Sequence, residues 1–135
     1  MKNYIIMLVI LVASSVSGYT QDVASSTIRW NSNRFFDGVA KVWRDEATYV
    51  VCEGGTKVKW FNANGALRKS FQIAEVIGEW PDRTQPGLIQ YEGMDITNSC
   101  TITIQKSDQE TRISLILGPA GPQVYELLIT SSEVL

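Results

Sequence analysis

The sequence predicts an all-β protein: a small antiparallel β-sandwich or barrel-like domain with an antiparallel meander at its C-terminal end. Three observations lead to this prediction. Apolar and polar residues alternate with a period of two, the alternating runs are rich in β-branched and aromatic residues, and turn signals recur about every ten residues. A chain of 135 residues is long enough for one domain with a hydrophobic core.

The C-terminal third carries the clearest alternation. Three runs place an apolar residue at every second position: Cys100, Ile102 and Ile104, then Ile113, Leu115 and Leu117, then Tyr125, Leu127 and Ile129. A polar turn at 107–110 and a Gly/Pro turn at 118–122 separate them, since Pro cannot continue a strand ladder. The pattern indicates a three-stranded meander with one buried face.

The first half is less regular but has the same character. Short runs rich in β-branched and aromatic residues cover 27–30, 39–43, 48–52, 57–61 and 88–92. The segment 67–77 fits either a helical face or a strand, and we predict a strand because turn residues flank it on both sides. The polar, Pro-containing segment 80–87 is the longest connection, where two halves of a single domain spanning 21–135 would divide.

The N-terminus has the three-part layout of a secretory signal peptide. Lys2 precedes an apolar run at 4–13, and small residues follow at 14–18, which places the cleavage site within 17–20. A membrane anchor is the alternative, but the run is shorter than the roughly 18–20 residues that a spanning helix needs. We therefore predict a secreted or periplasmic bacterial protein with no membrane insertion after cleavage. Loss of Lys2 changes the net charge from −2 to −3.

Export would give the two cysteines a structural role. In an oxidising compartment, Cys52 and Cys100 are most simply one disulfide. The alternative is a pair of buried free thiols. A zinc site is disfavoured because the chain has no His to complete the ligand set.

Part of the first half resembles a known repeat. The segments Phe36-Asp-Gly-Val-Ala-Lys-Val42 and Lys57-Val-Lys-Trp-Phe-Asn-Ala-Asn-Gly65 are followed by Phe71 and Val76. Residues 34–77 thereby resemble one degenerate unit of the bacterial WG-repeat family, whose units combine an F-x-G-L-A-x-V opening with a K-W-G-Y-I-D-x-x-G turn. The chain departs from that pattern in two ways. Phe61 replaces the Gly after Trp60, and the segment between the two motifs is longer than in the family. The resemblance implies β-hairpin structure and a binding role.

Few catalytic chemistries have support in this composition. The absence of His excludes a His general base and a Ser-His or Cys-His pair. Neighbouring carboxylates occur as Asp45 with Glu46, Glu79 with Asp82, and Glu92 with Asp95, but nothing in the sequence brings two of them across a cleft. No phosphate-binding glycine motif is present, and the net negative charge argues against nucleic acid as a partner. We predict no enzymatic activity, no cofactor and no metal.

Aromatic residues are the remaining candidates for a binding surface: Trp80, Trp43, Trp60 and Trp30. We expect most of these indoles to lie in the core. Trp80 is the best candidate for an exposed one, because it precedes Pro81 in a predicted loop.

The function that fits these features best is an exported, non-enzymatic binding domain that recognises a protein or a glycan. A lipocalin-like barrel around a small apolar ligand is one alternative, and a carboxylate-based hydrolase is another. A purely structural envelope protein is indistinguishable from the first by sequence, and the oligomeric state stays open.

Overall fold

A computed structural model describes residues 22–96, 98–118 and 123–135, so the predicted signal peptide lies outside the described residues. The described chain forms nine β-strands: β1 (Thr27–Asp37), β2 (Val42–Arg44), β3 (Thr48–Glu53), β4 (Lys57–Asn62), β5 (Leu67–Ile77), β6 (Gly87–Asp95), β7 (Asn98–Lys106), β8 (Thr111–Leu117) and β9 (Gln123–Val134). The all-β prediction is confirmed. In the described ranges, no helix has the length and apolarity required to cross a bilayer.

Eight of the strands close into an antiparallel barrel. Neighbours along the sheet follow the order β1-β3-β4-β5-β6-β7-β8-β9, and β9 pairs back with β1. The closing register places Trp30 opposite Ser132 and Phe35 opposite Leu127. The short β2 is an additional strand, which pairs only with the end of β1 through partners such as Phe36 and Trp43. Closure removes the open sheet edges that a sandwich of this size would expose.

The period-two alternation determines which side chains enter the barrel. The predicted C-terminal meander is confirmed as β7, β8 and β9, and its apolar positions are buried except Ile129, which is partly buried against the core. Segment 67–77 forms β5, as predicted. The predicted strand at 39–43 is wrong over 39–41, because residues 38–41 turn the chain back and β2 begins only at Val42.

The hairpin connections alternate between the two ends of the barrel. One end carries the turns at 38–41 and 63–66 and the turn at Ile96, and we call it the Arg68 end after the side chain described below. The opposite end carries the turns at 54–56 and 107–110, the N-terminal segment 22–26 and the loop 78–86. We call this the Trp80 end.

Trp80 is buried, with 1% of its surface exposed, so the prediction that it is an exposed aromatic is wrong. Its ring stacks on Trp30 at a centroid distance of 5.7 Å, and its Nε1 donates to the carbonyl of Gln85 at 3.0 Å. Gly87 leaves the space for this ring, since a Cβ there would lie 2.3 Å from the indole. The 80–87 segment folds back over the barrel end and joins β5 to β6, which are neighbours in the same sheet.

The predicted disulfide is absent, and both cysteines are buried free thiols. Cys52 lies on β3 and Cys100 on β7, which are four strands apart in either direction around the barrel. Eight strands about 4.8 Å apart enclose a ring at least about 12 Å across. A disulfide requires Cα atoms within about 7 Å, so opposite walls cannot be bridged. The alternative of two free thiols is the one that the structure supports.

Burial should make both thiols unreactive in the folded protein. Desolvation raises the pKa of Cys52 to about 12 and that of Cys100 to about 11, so very little thiolate exists at neutral pH. We expect a thiol reagent such as dithionitrobenzoate to label neither cysteine in the native protein and both after denaturation without reductant. A denatured protein with no titratable thiol would contradict the structure and restore the disulfide.

Candidate functional site

A β-bulge aims two cations over the Arg68 end of the barrel. Trp60 of β4 is paired with Lys69, whereas the next residue, Phe61, is paired with Leu67, which leaves Arg68 as the extra residue. Bulges of this kind redirect side chains at the rims of barrels. The Arg68 guanidinium lies 4.5 Å from the centre of the Trp60 ring, and the Lys69 Nζ lies 5.5 Å from the centre of the Tyr125 ring.

The cations cover an aromatic cluster drawn from three strands. Trp60 makes edge-to-face contacts with Phe35 at 5.2 Å and with Tyr125 at 5.4 Å. The Arg68 guanidinium also lies 4.8 Å above Phe35. Phe35 and Trp60 are fully buried, and Tyr125 is nearly so. The cluster therefore closes the hydrophobic core at this end and presents positive charge outward.

Between the cations and the turns lies an open recess of about 400 Å³, lined by Asp37, Asn62, Leu67, Arg68, Lys69 and Tyr125 among others. Arg68 donates to Asn62 Oδ1 at 2.9 Å. Within the described ranges, no carboxylate forms an ion pair with Arg68 or Lys69. The recess therefore carries positive charge in a chain whose net charge is −2.

Among the described residues, Asp37 is the carboxylate that lines this recess, and it is already engaged. Asp37 Oδ1 accepts from the backbone N–H groups of Val39 and Ala40, and Oδ2 accepts from Arg44 Nε at 2.9 Å. These hydrogen bonds lower the pKa of Asp37, with the largest effect from Ala40, the next from Arg44 and a smaller one from Val39. The carboxylate therefore stays ionised and fixes the turn after β1, while its charge is offset by Arg44.

Exposed aliphatic side chains lie on or next to three turns of the same end: Val39 (65% exposed), Leu67 (54%), which begins β5, and Ile96 (93%). Ile96 also has a φ of 46°, in the left-handed region that β-branched residues rarely adopt. The tight turn after β6 would favour Asn or Gly at such a position. Ile96 thus combines two locally unfavourable features, backbone strain and exposure of an apolar side chain.

The four tryptophans proposed from the sequence as candidate binding residues fall into two groups by burial. Trp30, Trp60 and Trp80 are core residues, whereas Trp43 is 39% exposed. Trp43 lies on the outer wall, edge to face with Phe36 at 5.6 Å and beneath the Arg34 guanidinium at 5.1 Å. An aromatic face made of several indoles is therefore not present, and Trp43 is the candidate that remains.

This separation predicts the fluorescence of the protein. We expect acrylamide to quench a minor fraction of the intrinsic Trp emission, because three indoles are sealed in the core. Trp43→Phe should remove the quenchable fraction, and Trp30→Phe should retain it. Strong quenching that persists in Trp43→Phe would contradict the burial described above.

Each pair of neighbouring carboxylates in the sequence has a member that is engaged locally. Asp45 forms an ion pair with Arg34 at 3.4 Å, and Asp82 accepts from the Thr84 hydroxyl at 2.6 Å in the Trp80-end loop. Glu92 accepts from Gln90 Nε2 at 2.6 Å and from the Thr101 hydroxyl on the barrel wall. Within the part of the chain that the structure describes, no group of three acidic or Cys residues is arranged to hold a metal ion.

Comparison with known proteins identified no relative of this chain. No protein-family model, curated protein or solved structure matches this chain. The resemblance to the WG-repeat family therefore stays a prediction. In the structure, residues 57–77 form the β4–β5 hairpin, in which Gly65 takes a φ of 87° at the turn.

Proposed function

We propose that the protein is an exported, non-enzymatic binding domain whose Arg68 end holds an acidic segment of a partner protein. The observation that carries this proposal is the pair of cations, Arg68 and Lys69, that the β5 bulge sets over the barrel end with no carboxylate paired to either in the described ranges. Partly desolvated cations without a counter-charge favour an anionic ligand.

The rim favours a protein over a glycan. Sugar rings stack on exposed aromatic faces, but the rings beneath Arg68 and Lys69 are buried. Trp43 is a single, partly exposed indole on the outer wall. The exposed groups are the aliphatic side chains of Val39, Leu67 and Ile96, which are suited to apolar side chains of a polypeptide. An acidic segment flanked by aliphatic residues matches both the charge and the rim.

The interior gives the alternative of an enclosed apolar ligand less support. The largest fully buried side chains include Trp30, Trp60, Tyr91, Phe35 and Phe71, all of which point into the barrel. Eight strands enclose a space just wide enough for side chains to fill it. The recess outside this core is the better place for a ligand.

Selection from a random-peptide display library tests the proposal. We expect the domain spanning 22–135 to enrich peptides that combine Asp or Glu with aliphatic residues. Binding of a selected peptide should weaken about tenfold in Arg68→Gln/Lys69→Gln, because partly exposed ion pairs contribute up to about 1 kcal/mol each. It should also weaken as the salt concentration rises.

The matched control is Lys57→Gln/Lys59→Gln, which removes the same charge from the outer wall at the opposite end. This variant should bind the selected peptides as tightly as the wild type. Peptides with no acidic enrichment, or equal affinity for both double variants, would overturn the proposal.

A further inference from the structure

A second recess lies at the Trp80 end, where the end of β9, the strand ends of the β7–β8 hairpin and the 78–86 loop meet. It is a cavity of about 110 Å³, lined by Arg83, Lys106, Thr111, Ser131 and Ser132 with Trp30 behind them. Cationic and hydroxyl groups thus dominate the lining. A space of this size accommodates a few waters or one small polyatomic ion.

One terminal nitrogen of Arg83 is hydrogen-bonded in this cavity, whereas its Nε is not. Its Nη1 donates to the Ser132 hydroxyl at 3.1 Å and to the Ser132 carbonyl at 3.4 Å. Its Nε is buried and has no hydrogen-bond partner among the residues that the structure describes. A buried guanidinium N–H without an acceptor is costly, because it has lost its water and gained nothing in return. The Arg83 Nε–H can therefore take an acceptor from a bound ligand, since no described residue supplies one.

The charges around Arg83 and Lys106 leave room for an anion. Within the described residues, neither side chain forms an ion pair. The carboxylate of Asp82 is nearby, and its pKa is lowered chiefly by the hydrogen bonds from Thr84 and further by the charges of Arg83 and Lys106. Asp82 Oδ1 accepts from the Thr84 hydroxyl and N–H, and that oxygen is therefore engaged within the loop. The charged side chains that line the cavity among the described residues are the two cations, Arg83 and Lys106.

Two hydroxyls in the lining are placed to donate a hydrogen bond. The alternation along β8 and the β1–β9 register put Thr111 and Ser132 on the inner face, with Ile113 and Trp30. Ser132 Oγ accepts from Arg83, which uses an oxygen lone pair and leaves its O–H available. Hydroxyl donors beside an Arg and a Lys form a donor set suited to an oxyanion with several acceptor oxygens.

We propose that this cavity, the Arg83 pocket, binds one small tetrahedral oxyanion: phosphate or sulfate, either free or as the terminal group of a larger molecule. The Arg83 Nε supplies an N–H, Lys106 supplies charge, and Thr111 and Ser132 supply hydroxyl donors. The pocket is at the opposite end of the barrel from the Arg68 recess, so the inference does not depend on the proposed function.

Calorimetric titration of the domain spanning 22–135 with inorganic phosphate, inorganic sulfate and glycerol 3-phosphate tests this proposal. We expect saturable binding of at least one of them, with stoichiometry near one, and a concentration-dependent rise in Tm. Tighter binding of glycerol 3-phosphate would assign the pocket to the terminal phosphate of a larger molecule. Equal or tighter binding of an inorganic ion would assign it to the free anion.

Variants distinguish the pocket from general charge attraction. Arg83→Gln should weaken binding at least about tenfold, and Arg83→Lys should restore only part of it, since a Lys keeps the charge and loses the planar fork. Lys106 makes no side-chain ion pair within the described residues, so Lys106→Gln should leave folding intact. This variant should also weaken anion binding, which keeps the test decisive if Arg83→Gln impairs folding. Absence of saturable binding, or binding unchanged in both Arg83→Gln and Lys106→Gln, would overturn the proposal.

Discussion

Trp60→Ala should lower the free energy of unfolding by about 3–5 kcal/mol, the range for deleting a large buried aromatic side chain. Trp60 is fully buried and contacts Phe35 and Tyr125 edge to face while Arg68 lies above it. Its removal would leave a void at the end of the barrel and take away the surface on which Arg68 rests. Chemical denaturation monitored by far-UV circular dichroism measures the loss.

Trp60→Phe is the matched control. The Nε1 of Trp60 is buried and has no hydrogen-bond partner in the described part of the chain, so exchanging the indole for a phenyl ring also removes an unsatisfied donor. We therefore expect Trp60→Phe to cost less than half as much as Trp60→Ala. A loss below about 1 kcal/mol for Trp60→Ala would show that the ring is not part of a packed core.

Gly93→Ala should be the second large destabilisation, of about 3 kcal/mol or more. Gly93 is paired with Ile73 across the β5–β6 ladder, and a Cβ at this position would lie 2.2 Å from the backbone oxygen of Gln72. A carbonyl in a strand ladder cannot move aside as a side chain does, so β5 and β6 must separate locally. Thermal unfolding of the variant and of the wild type gives the comparison.

Gly55→Ala provides the control for the loss of glycine itself. A Cβ at Gly55 would lie 3.0 Å from the Val76 side chain and 3.9 Å, an ordinary contact, from the Ala24 carbonyl oxygen. The small adjustment of Val76 should cost far less. Equal destabilisation in Gly93→Ala and Gly55→Ala would contradict the close approach of β5 and β6 at Gly93.

Local patterns predicted most of the fold. The alternating apolar positions of β7, β8 and β9 are buried along one face, apart from the partly buried Ile129. The turn residues around 67–77 predicted a strand correctly where hydrophobic periodicity alone was ambiguous. Both features depend on neighbours in sequence, which is why a single sequence suffices to find them. Closure of β1 on β9 joins the two ends of the domain, and no local pattern contains that information.

The errors come from long-range packing. Trp80 has the local features of an exposed loop residue, yet the loop folds back and places its ring on Trp30, in a space that Gly87 leaves free. A disulfide was predicted because the chain has two cysteines, Cys52 and Cys100, and a predicted export signal. The strand order places these residues on opposite walls of the barrel. Each outcome depends on which strands become neighbours.

The candidate site was missed for the same reason. Arg68 and Lys69 are ordinary charged residues in the sequence, and nothing there separates them from a solvated strand face. The bulge that makes Arg68 the extra residue arises from the β4–β5 register, and the rings beneath it come from β1, β4 and β9. The exposed Ile96 was a detectable signal, because an Ile at a tight turn between two strands is an unusual choice.

The most direct test of the central claim is site-specific photo-crosslinking in the cells that produce the protein. A photoreactive amino acid replaces Leu67 at the Arg68 end or Leu88 at the Trp80 end, two leucines of nearly equal exposure, 54% and 51%. We expect the probe at position 67 to crosslink to an acidic, aliphatic-flanked segment of one partner protein, identified by mass spectrometry, and the probe at position 88 to give no such adduct. The same adduct from both positions, or a crosslinked segment without acidic residues, would contradict the assignment of the Arg68 end as the binding face.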